Sequence, residues 1–339
     1  MYALPPTNLA AATRNICLMH LLERLAGRFN AAGVPLLVLK GAALNLTLYQ
    51  RPDERPMGDL DLLVRAAHLS GARRLLDEAG CRRGAPLVRE DFFPRYYYEL
   101  DYLAGDVLPM KIDLHVRAFR PLRYARLVPA DALWQRAARV QCGPAAVLVP
   151  AAEDMLIHLA VHAAVHDGVR PQWLADIKRW ADARRSELDW DRLMATAAAW
   201  GLALPVRKAL DRVQAAFGPV CPPEAWRRLT GAHVSWRDRL ALWQAPRDAR
   251  HSAGHVLVNA LCTPGARFVI GYLRAVLVPD QDHMGQWYGR RHWGWLSLAH
   301  LSRWMRPLGR AVAAGGKRLA RIATGAAHAT CLAVARNTG

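Results

Sequence analysis

At 339 residues, 53% hydrophobic and 22% charged, the chain is long enough for two well-cored domains and too apolar to be disordered. Its net charge of +18 is uneven: no acidic residue follows Asp282, and the last 57 residues carry nine of those charges, a segment drawn to nucleic acid, acidic peptides or anionic lipid. The six cysteines form no CxxC or zinc-type grouping, no apolar run can span a bilayer, and the N-terminus lacks a basic region followed by an apolar core. A cytoplasmic protein with reduced cysteines is expected.

In chain order, residues 9–32 predict an amphipathic helix with Ile16, Leu18, Leu21, Leu22 and Leu25 as its apolar positions. Leu36 to Leu39 reads as a short buried strand. Gly41 then permits a sharp turn, and AALNLTLY has helical spacing. Pro52, Pro56 and Gly58 mark a loop before a second strand, DLDLLV. Alternation puts Asp59 and Asp61 on one face, about 7 Å apart, with Leu60 and Leu62 pointing into a core. Two such acids repel, and a divalent cation would remove the repulsion. On that reasoning, changing either to Asn leaves the metal-free fold intact or slightly more stable.

AAHLSGARRLLDEAG predicts a helix stopped by Gly80. RYYYELDYL (95–103) and PMKIDLHV (109–116) read as strands separated by a Gly-Asp turn. The second alternates Ile112, Leu114 and Val116 against Lys111, Asp113, His115 and Arg117. AAVLVP (145–150) is one more short strand, and beyond Pro150 the spacing is almost wholly helical. The expected fold is α+β, with a mixed sheet flanked by helices in 1–150, an all-α domain in 151–305 and a basic tail in 306–339.

Asp59, Asp61 and Asp113 each fall on the polar face of a strand. Three converging carboxylates suit two Mg²⁺ ions, which prefer hard oxygen ligands completed by water and phosphate, and which can hold attacking and leaving oxygens in line. Lys40-Gly41 at a helix start adds backbone N–H groups and the helix dipole for phosphate oxygens. The glycine allows close approach.

These residues resemble the minimal-nucleotidyltransferase branch of the polymerase-β-like superfamily: K-G, a variable helix, R-x-x-x-D-[IL]-D, and a later I-D-L-H strand. More narrowly, the pattern is similar to an uncharacterised bacterial nucleotidyltransferase family often found beside lasso-peptide genes, and distantly to AbiEii-type toxin nucleotidyltransferases. The ED-x-x-x-x-H-x-x-x-H stretch and the WLADI helix also look like that family, so the resemblance covers roughly residues 10–200. It implies transfer of a nucleoside monophosphate from an NTP to an acceptor. Asp59, Asp61 and Asp113 would act as metal-binding and catalytic acids, with Asp113 also helping to deprotonate the acceptor hydroxyl. Lys40, Gly41 and Arg55 would bind the nucleotide. A peptide or small-molecule acceptor leads and tRNA is the runner-up; a silent peptide- or nucleic-acid-binding module is the rival class. The superfamily's usual Gly-Ser is Lys-Gly here, and the gap from Gly41 to Asp59 is longer than the common spacing.

His158, His162 and His166 recur every four residues along one helix face. Such a row can chelate zinc, but with no evident third ligand it reads as lining the domain interface and hydrogen-bonding the sheet or nucleotide without metal, with His158 and His162 as a cleft wall. Arg55 either reaches the triphosphate or braces the loop. Trp173, Trp180, Trp190 and Trp200 read as core anchors, and Asp176 as a helix-packing acid. WYGRRHWGW (287–295) reads as a packing surface before a stacking platform.

Overall fold

The computed structural model describes residues 9–84, 95–96, 98–168, 170–245 and 253–277. The basic segment after Asp282 and the WYGRRHWGW run lie outside the described residues. Helix α1 (Leu9–Ala31) buries Asn15, Leu18, Leu21, Leu22, Leu25, Ala26 and Phe29. Ile16, expected on that face, is 56% exposed. Its inward neighbour is Asn15, whose amide donates to the carbonyls of Pro52 (2.6 Å) and Arg55 (2.7 Å) and accepts from the Met57 N–H (2.9 Å). A buried polar side chain takes the core position because three backbone groups of the 52–57 loop need partners there.

Strand β1 (Leu37–Leu39) runs straight into helix α2 (Lys40–Thr47), and the loop tied by Asn15 leads into β2 (Asp59–Leu63). Helix α3 (Leu69–Glu78) follows, then β3 (Arg82–Arg83), β4 (Glu99–Ala104) and β5 (Met110–His115). Short helices α4 (Leu122–Leu127) and α5 (Ala132–Gln135) precede a hairpin of β6 (Ala138–Cys142) and β7 (Ala145–Val149). Gly143 makes that turn at φ +59, a conformation open to glycine at little cost. Strand β6, with a mostly exposed ARVQC sequence, offers no apolar alternation and is not evident from sequence.

The seven strands form one mixed sheet in the order β3-β4-β5-β2-β1-β7-β6. Its centre pairs β2 antiparallel with β1 and parallel with β5, and β4 runs antiparallel to β5. Leu60, Leu62, Ile112 and Leu114 are fully buried in the core, as their alternation requires. Helix α1 packs against β7, β2 and α3, while α2 packs on β1 and β2.

From Ala152 onward the described elements are helical: α6 (Ala152–Val165), α7 (Pro171–Ala183), α8 (Trp190–Ala199), α9 (Ala203–Phe217), α10 (Pro223–Gly231), α11 (Trp236–Gln244), α12 (Ala253–Cys262) and α13 (Ala266–Leu277). Helix α6 is buried nearly all round, because α2, α7, α8 and α9 all pack against it. The elements up to Arg274 belong to one compact unit, and a second unit takes up the chain from Ala275. Among the described residues no helix is long and apolar enough to cross a membrane.

Candidate active site

Register builds the site. Asp61 on β2 pairs with Asp113 on β5, which pairs with Asp101 on β4. One pleat along, Leu63, His115 and Glu99 form the next row. One ligand atom each from Asp61, Asp113 and His115 lies within 4.8 Å of the others, and Glu99, Asp101 and Asp113 form a second such group. Asp59, at the start of β2, lines the same cleft but stands outside both groups. The cleft, about 300 Å³, also has Lys40, Gly41 and Arg55 at its edge.

The carboxylates are not alike. Asp61 is 2% exposed, and its Oδ1 receives the Lys40 ammonium at 2.5 Å and His115 Nε2–H at 2.9 Å. Burial opposes its charge, but Lys40 and His115 outweigh burial and hold Asp61 well below the usual carboxylate range. Burial likewise disfavours the Lys40 charge, yet Asp61 and Glu99 raise it above an ordinary lysine. Asp113 goes the other way. Burial, with the charges of Glu99 and Asp61, pushes it up to about 7 although Lys111 Nζ lies 2.7 Å away. Asp59 is also raised, by burial and by Asp61. Of the two acids expected to repel, Asp61 is held ionised by Lys40 and His115, whereas burial and the Asp61 charge raise Asp59 despite the lysines nearby.

Two walls rise from this floor. On one side Tyr98 stacks on His115 (centroids 6.5 Å apart), and the Arg120 guanidinium lies over Tyr98 at 5.8 Å. On the other stand His158 and His162 of α6 and His166 just past its end, with Trp173 of α7 beside the outer two at 4.7 and 5.1 Å. Trp173, expected as a core anchor, thus also lines the cleft; Trp180 and Trp200 are buried as expected. His158 is the deepest of the row, 1% exposed, edge-on to Phe119 at 5.4 Å, and neither ring nitrogen has a hydrogen-bond partner. Burial and the nearby Lys40 lower it to about 3, so the ring is neutral at physiological pH. Because an orphaned buried polar group costs about 1–3 kcal/mol, His158→Phe should raise the melting temperature. An unchanged or lower value would mean that the imidazole has a partner in solution.

Arg55 is 7% exposed and committed to Asp176 of α7, with Nε at 3.1 Å and Nη2 at 2.9 Å from Oδ2. Gly41 lies against this guanidinium, and a Cβ there would collide with Nη1. Gly41→Ala should therefore cost about 1–3 kcal/mol by overpacking, read by thermal melting. A variant melting with the wild type would show that Arg55 can swing aside. The N-terminus of α2 carries no side-chain cap, which leaves its first-turn N–H groups available to an anion.

The residues that the sequence points to, Lys40, Gly41, Arg55, Asp59, Asp61, Asp113, His158 and His162, all line this cleft. Glu99 and His115 are not among them. His115 shares the alternating face of Asp113, a signal present in the strand, whereas Glu99 enters only through its pairing with His115.

Residues 3–218 match the family model described as "Uncharacterised nucleotidyltransferase", well over half of the chain. The chain belongs to this nucleotidyltransferase family. No curated protein matches it. Similar solved structures include ANT(2")-Ia in complex with adenylyl-2"-tobramycin, at 14% identity, covering 54% of this chain and 95% of that one, with a TM-score of 0.37. The solution structure of the antibiotic-resistance factor ANT(2")-Ia gives 14%, 55%, 92% and 0.38. An antigenic nucleotidyltransferase-like protein from Paracoccidioides brasiliensis gives 16%, 64%, 94% and 0.40. The nucleotidyltransferase thus combines a mixed α+β fold with an acidic cluster able to hold a metal ion.

Proposed function

We propose that this nucleotidyltransferase moves a nucleoside monophosphate from an NTP to a hydroxyl of a peptide or small-molecule acceptor, with Mg²⁺ held by Asp61, Asp113 and Asp59. The observation that carries this reading is the convergence of Asp61, Asp113 and His115 within 4.8 Å on a cleft floor whose edge is the N-terminus of α2. The donor set fits the ion, since carboxylate oxygens are the ligands Mg²⁺ prefers, and His115 bonded to Asp61 Oδ1 can orient that carboxylate. Bound there, the cation would neutralise charge on the transferring phosphoryl group and align it for in-line displacement.

The chain's own groups account for the rest. The first-turn N–H groups of α2 and the Lys40 ammonium hold triphosphate oxygens. Asp113, on the strand beside Asp61, is the carboxylate that takes the acceptor hydroxyl proton. Tyr98, Phe119 and the α6 histidines enclose the reacting groups and limit water. The lasso-peptide resemblance is what favours a peptide acceptor. The test is transfer of label from α-³²P-NTPs to a panel of peptides, small hydroxyl compounds and tRNA. Label on a peptide or small molecule supports the reading, and label on tRNA alone would replace the acceptor class. Absence of metal-dependent nucleotide binding would point to the silent binding module instead.

A further inference from the structure

Lys40 sits in an unusual backbone state for its residue type. Its φ is 48°, a left-handed conformation uncommon outside glycine and kept only where the surroundings hold it. From there the ammonium reaches Asp61 Oδ1 at 2.5 Å, on the same oxygen that receives His115. That oxygen belongs to a carboxylate in one of the two groups whose ligand atoms lie close enough to hold a cation. A divalent ion bound to it would lie close to the ammonium, and the two positive charges repel strongly in a site shielded from water. Lysine and metal therefore compete for one carboxylate.

We propose that Lys40 is a built-in stand-in for the metal: its ammonium holds the cation position on Asp61 and leaves it for the nucleotide's phosphates, so that metal enters as a nucleotide complex and binds poorly alone. The proposal rests on the reading of this floor as a metal–nucleotide site. Its physical basis is the surrounding charge. Asp61, Glu99 and Asp59 all attract Lys40, and without the ammonium they would form a buried negative cluster with too little compensation. A bare cation offers Lys40 no new partner when it displaces it. A nucleotide brings a triphosphate to the N-terminus of α2, which Lys40 begins, and gives the released ammonium a multiply charged partner.

The test titrates Mn²⁺ against the full-length chain and follows the free-ion signal by electron paramagnetic resonance, with and without α,β-methylene-ATP, and subtracts the Mn²⁺ that the same nucleotide binds in protein-free solution. Wild type should hold Mn²⁺ at least about tenfold more tightly when the nucleotide is present. Lys40→Gly, which accepts the left-handed backbone without strain, and Lys40→Met should each bind Mn²⁺ alone at least about tenfold more tightly than wild type, with a smaller further gain from nucleotide. His115 still holds Asp61 in both variants. If wild type binds Mn²⁺ with nucleotide but neither variant binds the bare ion more tightly, the stand-in role is overturned and the metal–nucleotide reading survives. Equal Mn²⁺ affinity of wild type with and without nucleotide overturns the role without recourse to variants. A wild type that binds Mn²⁺ under neither condition overturns the metal–nucleotide reading itself.

Discussion

Asp113→Asn should lower nucleotidyl transfer by at least about a thousandfold while making the metal-free protein more stable at pH 8. The carboxyl is pushed up to about 7 in the folded chain, whereas an unfolded aspartate titrates near 3.9. Between about pH 4 and pH 7 the folded protein therefore keeps a proton that the unfolded chain has released, and stability falls as pH rises through that window. Above it the whole penalty is present, on the order of a few kcal/mol. An amide of the same shape carries no such penalty. Melting temperatures of wild type and variant, both stripped of metal, should coincide near pH 4 and diverge by pH 8 in favour of the variant. A gap independent of pH would remove Asp113 as its cause. Transfer should fall mainly through turnover, with nucleotide affinity less affected, if Asp113 acts chiefly on the acceptor hydroxyl.

Asp61→Asn should lose transfer to a similar extent, but with the opposite effect on stability. Its charge is matched by Lys40 and His115, so its removal leaves the half-buried Lys40 ammonium without its closest anion and lowers stability. Two aspartates on facing strands, with one proposed task, should thus move the melting temperature in opposite directions. If Asp61→Asn also stabilises the metal-free protein, the Lys40 contact does not hold in solution.

How much of this was legible beforehand depends on which forces act locally. The alternation in DLDLLV and KIDLH placed Leu60, Leu62, Ile112 and Leu114 inside and the aspartates on the other face, because period-two geometry is a property of the strand alone. Sheet order and register are not. That Asp61 faces Asp113, and that Glu99 arrives beside His115, follows from the parallel β2–β5 and antiparallel β4–β5 pairings, which no short window contains. Charge compensation was hidden for the same reason. The repulsion between Asp59 and Asp61 could be read from spacing, but the ammonium that neutralises Asp61 reaches it across the β1–α2 junction. Asn15 is a further case, since a polar residue at a core-facing helix position makes sense only once the 52–57 loop is seen to need its hydrogen bonds.

Arg55→Ala should destabilise the protein by about 3–5 kcal/mol, because it strands a buried carboxylate. Asp176 is 1% exposed, accepts two guanidinium bonds on Oδ2, and takes the Tyr49 hydroxyl on Oδ1 at 2.6 Å. Without Arg55, Asp176 loses both guanidinium bonds and keeps the Tyr49 hydroxyl. Lysine is a poor substitute, since its single ammonium cannot reproduce the fork that places two N–H groups on one carboxylate. The pair also has a positional task. It ties the loop before β2, and with it the approach to Asp59, to the helix that carries Gln172 and Trp173. Gln172 repeats the tie by donating to the Pro56 carbonyl at 3.1 Å. Sequence left Arg55 open between bracing this loop and gripping phosphate, and the two roles separate experimentally. As a brace, Arg55→Ala lowers the melting temperature with or without nucleotide, and Arg55→Met combined with Asp176→Leu is less harmful than either change alone, because no buried charge is left over. As a phosphate ligand, Arg55→Ala weakens nucleotide binding and leaves the melting temperature of the unliganded protein in place. The buried pairing with Asp176 favours the first outcome.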